Sequence, residues 1–135
     1  MNTQKYCLGS IGVFIFIFVF EWIFHGMILG ETYSQTAHLW RPKEEMPQYM
    51  GWMVLGQLLF AFIFSYIFLK GYENKGTMEG VRYGLLIATL YVPTNIILYS
   101  VIPYPAHLVV AWVIGGYIEM SIAGAVLATI YKPKK

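Results

Sequence analysis

Residues 10–30 read SIGVFIFIFVFEWIFHGMILG, and this stretch decides the fold. It is almost wholly apolar, and its length of about 20 residues is what a helix needs to cross the ~30 Å hydrocarbon core of a bilayer. Glu21 and His25 lie in its middle, four residues apart, so they share one helix face. Because an ionisable side chain at that depth is costly, it is usually kept for a partner or a function. The stretch therefore predicts a membrane span that carries a polar pair.

Three further apolar runs follow, and together they predict spans at about residues 10–30, 51–69, 78–101 and 107–131. The chain is 58% hydrophobic and 12% charged, whereas a soluble domain averages about 25% charged residues. The first run is longer than the apolar core of a signal peptide and carries a glutamate and a histidine, so we interpret it as a retained span. The 135 residues predict a single domain of the all-α class, an integral membrane four-helix bundle.

The basic residues are distributed unevenly between the two sides of such a bundle. Two of them, Arg41 and Lys43, lie in the first loop. The other seven lie in the N-terminal lead, the second connection with its flanks, and the C-terminal tail: Lys5, Lys70, Lys75, Arg82, Lys132, Lys134 and Lys135. The positive-inside rule then predicts that both termini are cytoplasmic, an N-in/C-in topology.

Each predicted span contributes a polar group at a similar depth. Glu21 lies near the centre of the first span and Glu119 near the centre of the fourth, while Gln57 and Asn95 lie slightly outside the centres of the second and third. His25 is one turn further out, roughly 6 Å along the helix. We predict that these five residues form one layer that binds a ligand or a proton. Gln57 and Asn95 are also residue types that hydrogen-bond between membrane helices, so a purely structural role stays open for them.

Small residues beside Glu119 indicate close helix packing. Gly115, Gly116 and Ala123 lie on or next to its face of the fourth span, and small residues let membrane helices approach closely. We therefore expect the fourth span to pack tightly against another helix through these three positions.

The residue types of the layer favour proton handling over other chemistry. Two carboxylates and an imidazole are compatible with a transition-metal shell, but the Glu-x-x-His pairs of di-iron bundles are absent. No Ser–His–acid or Cys–His pattern points to a nucleophile. Chains of glutamate and histidine in membranes serve as proton relays. We expect no metal, no cofactor and no catalytic residue, hence no enzyme, and a net charge of +2 does not favour nucleic-acid binding.

Residues 20–42 read FEWIFHGMILGETYSQTAHLWRP. With its aromatic, polar-bearing first span, Trp-containing loop and three further spans, the chain resembles the small four-span bacterial membrane proteins catalogued as domains of unknown function. That resemblance implies the bacterial inner (plasma) membrane. In its four short spans and in the placement of Glu21, the chain is also similar to the small multidrug resistance transporters, which have an essential glutamate in the first span. Glu119 and the long first loop depart from that second pattern.

Two functions follow as expectations. The first is an accessory subunit that packs in the bilayer against other membrane-protein subunits or against itself. The alternative is a proton-coupled small-molecule transporter that acts as an oligomer. If the protein is a subunit, we expect both glutamates to be buried by helix packing. If it is a transporter, we expect Glu21 to be hydrated and accessible to a substrate.

Overall fold

Four long helices build the protein, in a computed structural model that describes residues 1–132. The chain is all-α, with 84% of its residues helical. The elements are α1 (Thr3–Ile23), which continues into a π-helical turn (Phe24–Ile28), then α2 (Gly30–Gln35), a 3₁₀ turn (Ala37–Leu39), α3 (Met46–Lys70), α4 (Thr77–Val101) and α5 (Ala106–Tyr131). Lys134 and Lys135, which count toward the predicted charge asymmetry, lie outside the described residues.

The four long helices match the predicted spans closely. Each is long and apolar enough to cross a membrane: Thr3–Ile28, Met46–Lys70, Thr77–Val101 and Ala106–Tyr131. The first begins seven residues before the predicted span, because Asn2 caps it by accepting a hydrogen bond from the Lys5 backbone N–H at 3.0 Å. The third long element, α4, runs through Pro93 as one helix.

Large apolar side chains cover the outward faces of the bundle. Leu86, Leu90 and Val101 on α4 are 69%, 71% and 71% exposed, and Trp52 on α3 is 71% exposed. A contiguous apolar surface of this kind marks a membrane or protein contact, since a water-soluble monomer rarely exposes one.

The helices are arranged as an open ring rather than a closed bundle. The backbones of α4 and α5 pack closely, and α1 packs between α3 and α5, whereas α3 and α4 share hardly any close backbone contact. Aromatic side chains bridge part of this α3–α4 gap: the Tyr83 ring stacks obliquely on Phe64 and Phe68, and its hydroxyl donates to the Phe64 carbonyl at 2.7 Å. The gap reaches toward the middle of the protein, where the candidate site lies.

Glycines bring α4 and α5 into backbone contact. Gly80 faces Gly124, and Gly84 faces the Met120 carbonyl, so closely that a Cβ on any of the three glycines would overlap backbone atoms. Ala123, one of the three positions expected at a close contact, is fully buried.

The expectation for Gly116 is wrong. Gly115 packs under the Phe24 ring, but a Cβ built on Gly116 meets nothing within 4 Å. One residue corresponds to about 100° of helix rotation, so adjacent glycines cannot face the same neighbour. Gly116 instead lines a cavity between the helices.

Candidate functional site

Glu21 and His25 form an ion-pair geometry at the end of α1. The His25 Nε2 atom lies 3.2 Å from Glu21 Oε2, and both side chains are about one-third exposed, at 34% and 32%. His25 belongs to the π-helical turn, in which the Leu29 N–H donates to the Phe24 carbonyl, five residues back, at 2.9 Å. Single π-turns often occur at functional sites, since the extra residue changes where the following side chains point.

A chain of hydrogen bonds continues from His25 to two aromatic residues. The Tyr33 hydroxyl on α2 lies 2.5 Å from His25 Nδ1, and the Trp112 indole N–H on α5 donates to the same hydroxyl at 2.8 Å. The path from Trp112 through Tyr33 and His25 to Glu21 thus joins α5 to three consecutive elements near the start of the chain: α1, the π-helical turn and α2.

One assignment of protons satisfies every member of this chain. Trp112 can only donate, so the Tyr33 oxygen accepts from it and the Tyr33 O–H donates to His25 Nδ1. The neutral imidazole then carries its proton on Nε2 and donates it to Glu21. An imidazolium would leave the Tyr33 proton without an acceptor among the described residues. Burial, the largest effect, raises the pKa of Tyr33 above its usual value, and the nearby Glu21 charge acts in the same direction, so the phenol stays protonated.

Glu119 on α5 meets Glu21 across the α1–α5 contact. The two carboxyl groups are close enough to interact with one another, and both line the same cavity. Glu119 is only 6% exposed, and no donor of the described chain reaches its buried Oε1 atom. Two carboxylates cannot hydrogen-bond to each other unless one holds a proton, and like charges at that separation disfavour double ionisation. The geometry therefore suits a pair that shares one proton and carries one negative charge.

A cavity of about 330 Å³ opens beside the two carboxyl groups. All four long helices line it. Glu21 comes from α1, Gln57 from α3, Asn95 from α4 and Glu119 from α5. Tyr91, Trp112 and Gly116 also line it, and most of the remaining wall is apolar. Its volume lies at the lower end of the range for small-molecule sites, which combine apolar walls with a few placed polar groups.

The structure brings together all five residues that the sequence proposes for the site. Four of them line the cavity, and His25 lies behind Glu21 as its partner. The alternative role of Gln57 as a hydrogen bond between helices is not seen, because its buried Oε1 atom has no partner within residues 1–132.

Tyr33 and Trp112 were not among the site residues predicted from the sequence. Trp112 precedes Glu119 by seven residues, which is two helical turns and hence the same face of α5, so this spacing was a usable signal. For Tyr33 the sequence offered no such signal. It lies on α2, beyond the break after the π-turn, so no helical periodicity relates it to His25.

An aromatic cluster covers the end of the site that lies near α2. Trp40 stacks on Tyr104 with ring centroids 5.5 Å apart, and Trp112 meets both rings edge-on at 6.2 and 4.9 Å. Trp40 also packs edge-on against Tyr33. Trp112, which also lines the cavity, thus connects the site to Trp40 of the first loop.

No set of three or more His, Cys or acidic side chains in residues 1–132 is grouped so that it could hold a metal ion. Comparison with known proteins also finds no match among family models, curated proteins or solved structures. The fold and site by themselves define the class: a small all-α protein with four candidate membrane spans and, between them, a cavity bordered by two glutamates.

Proposed function

We propose that this protein is a four-span membrane protein that binds a small molecule between its helices and exchanges a proton with it at the Glu21–Glu119 pair. The observation that carries the proposal is the 330 Å³ cavity, because both carboxyl groups border it. A bound molecule that contacts this pair changes which of its protonation states is favoured. Binding and proton release are then linked.

The exposure of Glu21 favours this function over that of a purely structural subunit. A structural polar layer is expected to be sealed by packing, whereas the Glu21 side chain is 32% exposed and borders open space. The Gln57 Oε1 atom, which has no hydrogen-bond partner within residues 1–132, also favours ligand binding over a structural role. A glutamine kept for structural reasons is expected to make hydrogen bonds within the protein.

The Trp112–Tyr33–His25 chain supports the proton exchange. In the proton assignment given above, it directs the Nε2 proton of His25 at Glu21, so His25 donates a hydrogen bond to the ionised carboxyl group of the pair. The titratable groups around the pair are then His25 on α1, Tyr33 on α2 and Tyr91 on α4. We retain the N-in/C-in topology and the bacterial plasma membrane as parts of the proposal.

The test is chemical labelling with dicyclohexylcarbodiimide, a membrane-soluble reagent that modifies protonated carboxyl groups. We expect the purified protein in lipid nanodiscs to be modified once, on Glu21 or Glu119, as read by mass spectrometry of its peptides. The double variant Glu21→Gln, Glu119→Gln should not be modified in these peptides. Glu44→Gln, which changes an exposed loop carboxyl, should be modified like the wild type. A folded wild-type protein that stays unmodified on both glutamates would contradict the proposal.

The α3–α4 gap favours a second candidate, the accessory subunit. Because these two helices barely touch through their backbones, a helix of another membrane protein could fill the space between them. Sealed, unreactive carboxyl groups together with migration in a large complex after mild solubilisation would support this candidate.

A further inference from the structure

A second cavity lies in the α3–α4 gap, next to the first. Its volume is about 300 Å³, and its walls are almost entirely apolar or aromatic. Phe60 and Tyr91 line both cavities, so the two share a boundary. The gap also faces outward, since Ile63 and Leu90 in its walls are 56% and 71% exposed. The gap therefore gives a molecule in the bilayer a route toward the carboxyl pair between α3 and α4, past the Phe60 and Tyr91 rings, whose centroids lie 6.2 Å apart.

The apolar part of this space has the dimensions of a hydrocarbon chain. On α3 it extends from Phe60 to Ile67, seven residues further along, which is about 10 Å at the helical rise. An extended octyl chain has about this length. The polar part lies at one end only, where Gln57, Glu21 and Glu119 border the first cavity.

The polar end is built to accept hydrogen bonds from a cation. It presents the carboxyl oxygens of Glu21 and Glu119, and the buried Oε1 atoms of Gln57 and Glu119 receive no donor from residues 1–132. Within residues 1–132, no lysine, arginine or histidine lines either cavity. Because the hydrogen-bond chain keeps His25 neutral, the negative charge of the carboxyl pair is not cancelled.

We infer that the ligand is a single-chain amphiphile with a primary ammonium head, which lies against Glu21 and Glu119 while its tail occupies the α3–α4 gap. This inference rests on the proposed function and names its substrate class. A phospholipid does not fit, because its phosphate would lie among carboxylates without a cationic side chain.

Proton exchange follows from the charge balance. The free pair holds one proton between two carboxyl groups. When the ammonium head donates hydrogen bonds to both, the second carboxyl ionises and its proton leaves to water, while the ligand keeps its own positive charge. One bound cation thus releases at most one proton, and no oxidant, reductant or covalent step is involved.

The test measures proton release in weakly buffered nanodiscs with a pH-sensitive dye, with empty nanodiscs as the blank. Octylammonium should reach half-saturation at a concentration at least about tenfold lower than ethylammonium. Tenfold corresponds to about 1.4 kcal/mol, which burial of about two methylene groups supplies. Octanoate, which has a chain of similar length and the opposite charge, should release no protons.

Two tryptophan variants separate the gap from simple partition into lipid. Ile63→Trp fills the gap, whereas Leu59→Trp adds the same bulk on α3 outside it, and the two native side chains are similarly exposed at 56% and 54%. Ile63→Trp should raise the octylammonium half-saturation about tenfold and leave that of ethylammonium unchanged. Leu59→Trp should behave like the wild type for both.

The outcomes distinguish this inference from the function on which it rests. If neither amine releases protons above the blank, the proposed proton-linked binding fails and the inference with it. If both amines release protons but chain length and Ile63→Trp have no effect, only the inference fails. Equal proton release by octanoate would overturn the cationic head. A disulfide-linked dimer formed through Ile63→Cys in a Cys7→Ser background would place a second copy in the gap and also overturn the inference.

Discussion

The contact between α4 and α5 predicts that Gly84→Ala destabilises the protein. A Cβ on Gly84 would lie 2.5 Å from the Met120 carbonyl carbon and closer still to its oxygen, whereas real Cβ atoms essentially never approach within 3.0 Å. The obstacle is backbone, so it cannot be relieved by a side-chain rotation. The oxygen is the tighter contact, so the two helices must move apart by about 1 Å, and the neighbouring Gly80–Gly124 contact must open with them.

Two opposing effects set the magnitude. Replacing glycine by alanine inside a helix stabilises it by up to about 1 kcal/mol. Overpacking a tight contact costs about 1–3 kcal/mol, and separating two backbones belongs at the upper end of that range. We therefore expect a net loss of about 1–2 kcal/mol in the free energy of unfolding.

Gly116→Ala is the matched control, because the same change on α5 meets nothing within 4 Å. It should leave the free energy of unfolding unchanged or raise it by up to about 1 kcal/mol. Both variants can be compared by reversible denaturation in mixed micelles, followed by circular dichroism. If Gly84→Ala proves at least as stable as Gly116→Ala, α4 and α5 are not in backbone contact and the helix arrangement is wrong.

Two further predictions concern the site and the topology. Tyr33→Phe should lower the free energy of unfolding by about 1–3 kcal/mol, because it leaves His25 Nδ1 without a donor and the Trp112 N–H without an acceptor. The pKa of Tyr33 is raised on folding, so its contribution to stability is present below pH 10 and is lost as the pH rises above that value. Denaturation measured as a function of pH should show this loss for the wild type and not for Tyr33→Phe. Cysteines at Ser34 and Lys75 should react with impermeant thiol reagents from opposite sides of the membrane, and labelling of Ser34→Cys from the cytoplasm would reverse the topology. Lys75 suits this test better than its neighbour Asn74 in the same connection. Asn74 has a positive φ of 59°, and a cysteine would be strained in that backbone conformation.

Much of the site could be predicted from the sequence, because the spacing of residues along a helix sets which of them share a face and a level. Glu21 and His25 share a face through their spacing of four, whatever the rest of the chain does. Glu119 could be placed at the level of Glu21, since the span boundaries set the depth of each residue once the helical rise is known. The structure accordingly has four long helices within a few residues of the predicted spans and brings both glutamates to one cavity.

The sequence could not predict in the same way which face of each helix packs against another helix. A span that meets lipid on one side and protein on the other is apolar all round, so hydrophobic periodicity carries little information about its orientation. This is why Gly116 could be taken for a packing residue, although Gly84 and Gly124 make the backbone contact. Small residues show that close packing occurs, but not which partner they meet.

The sequence by itself therefore determined the class of the protein, the number of its long apolar helices and the level of its polar groups along them, because chain length and apolar composition control these directly. Only the tertiary structure decided which helices are neighbours. That choice left α3 and α4 apart, opened the gap beside Phe60 and Tyr91, and joined His25 to Tyr33 and Trp112 across three elements. The physical reason is that each of these features depends on the rotation of one helix against another, and that rotation is set by side-chain packing between distant parts of the chain.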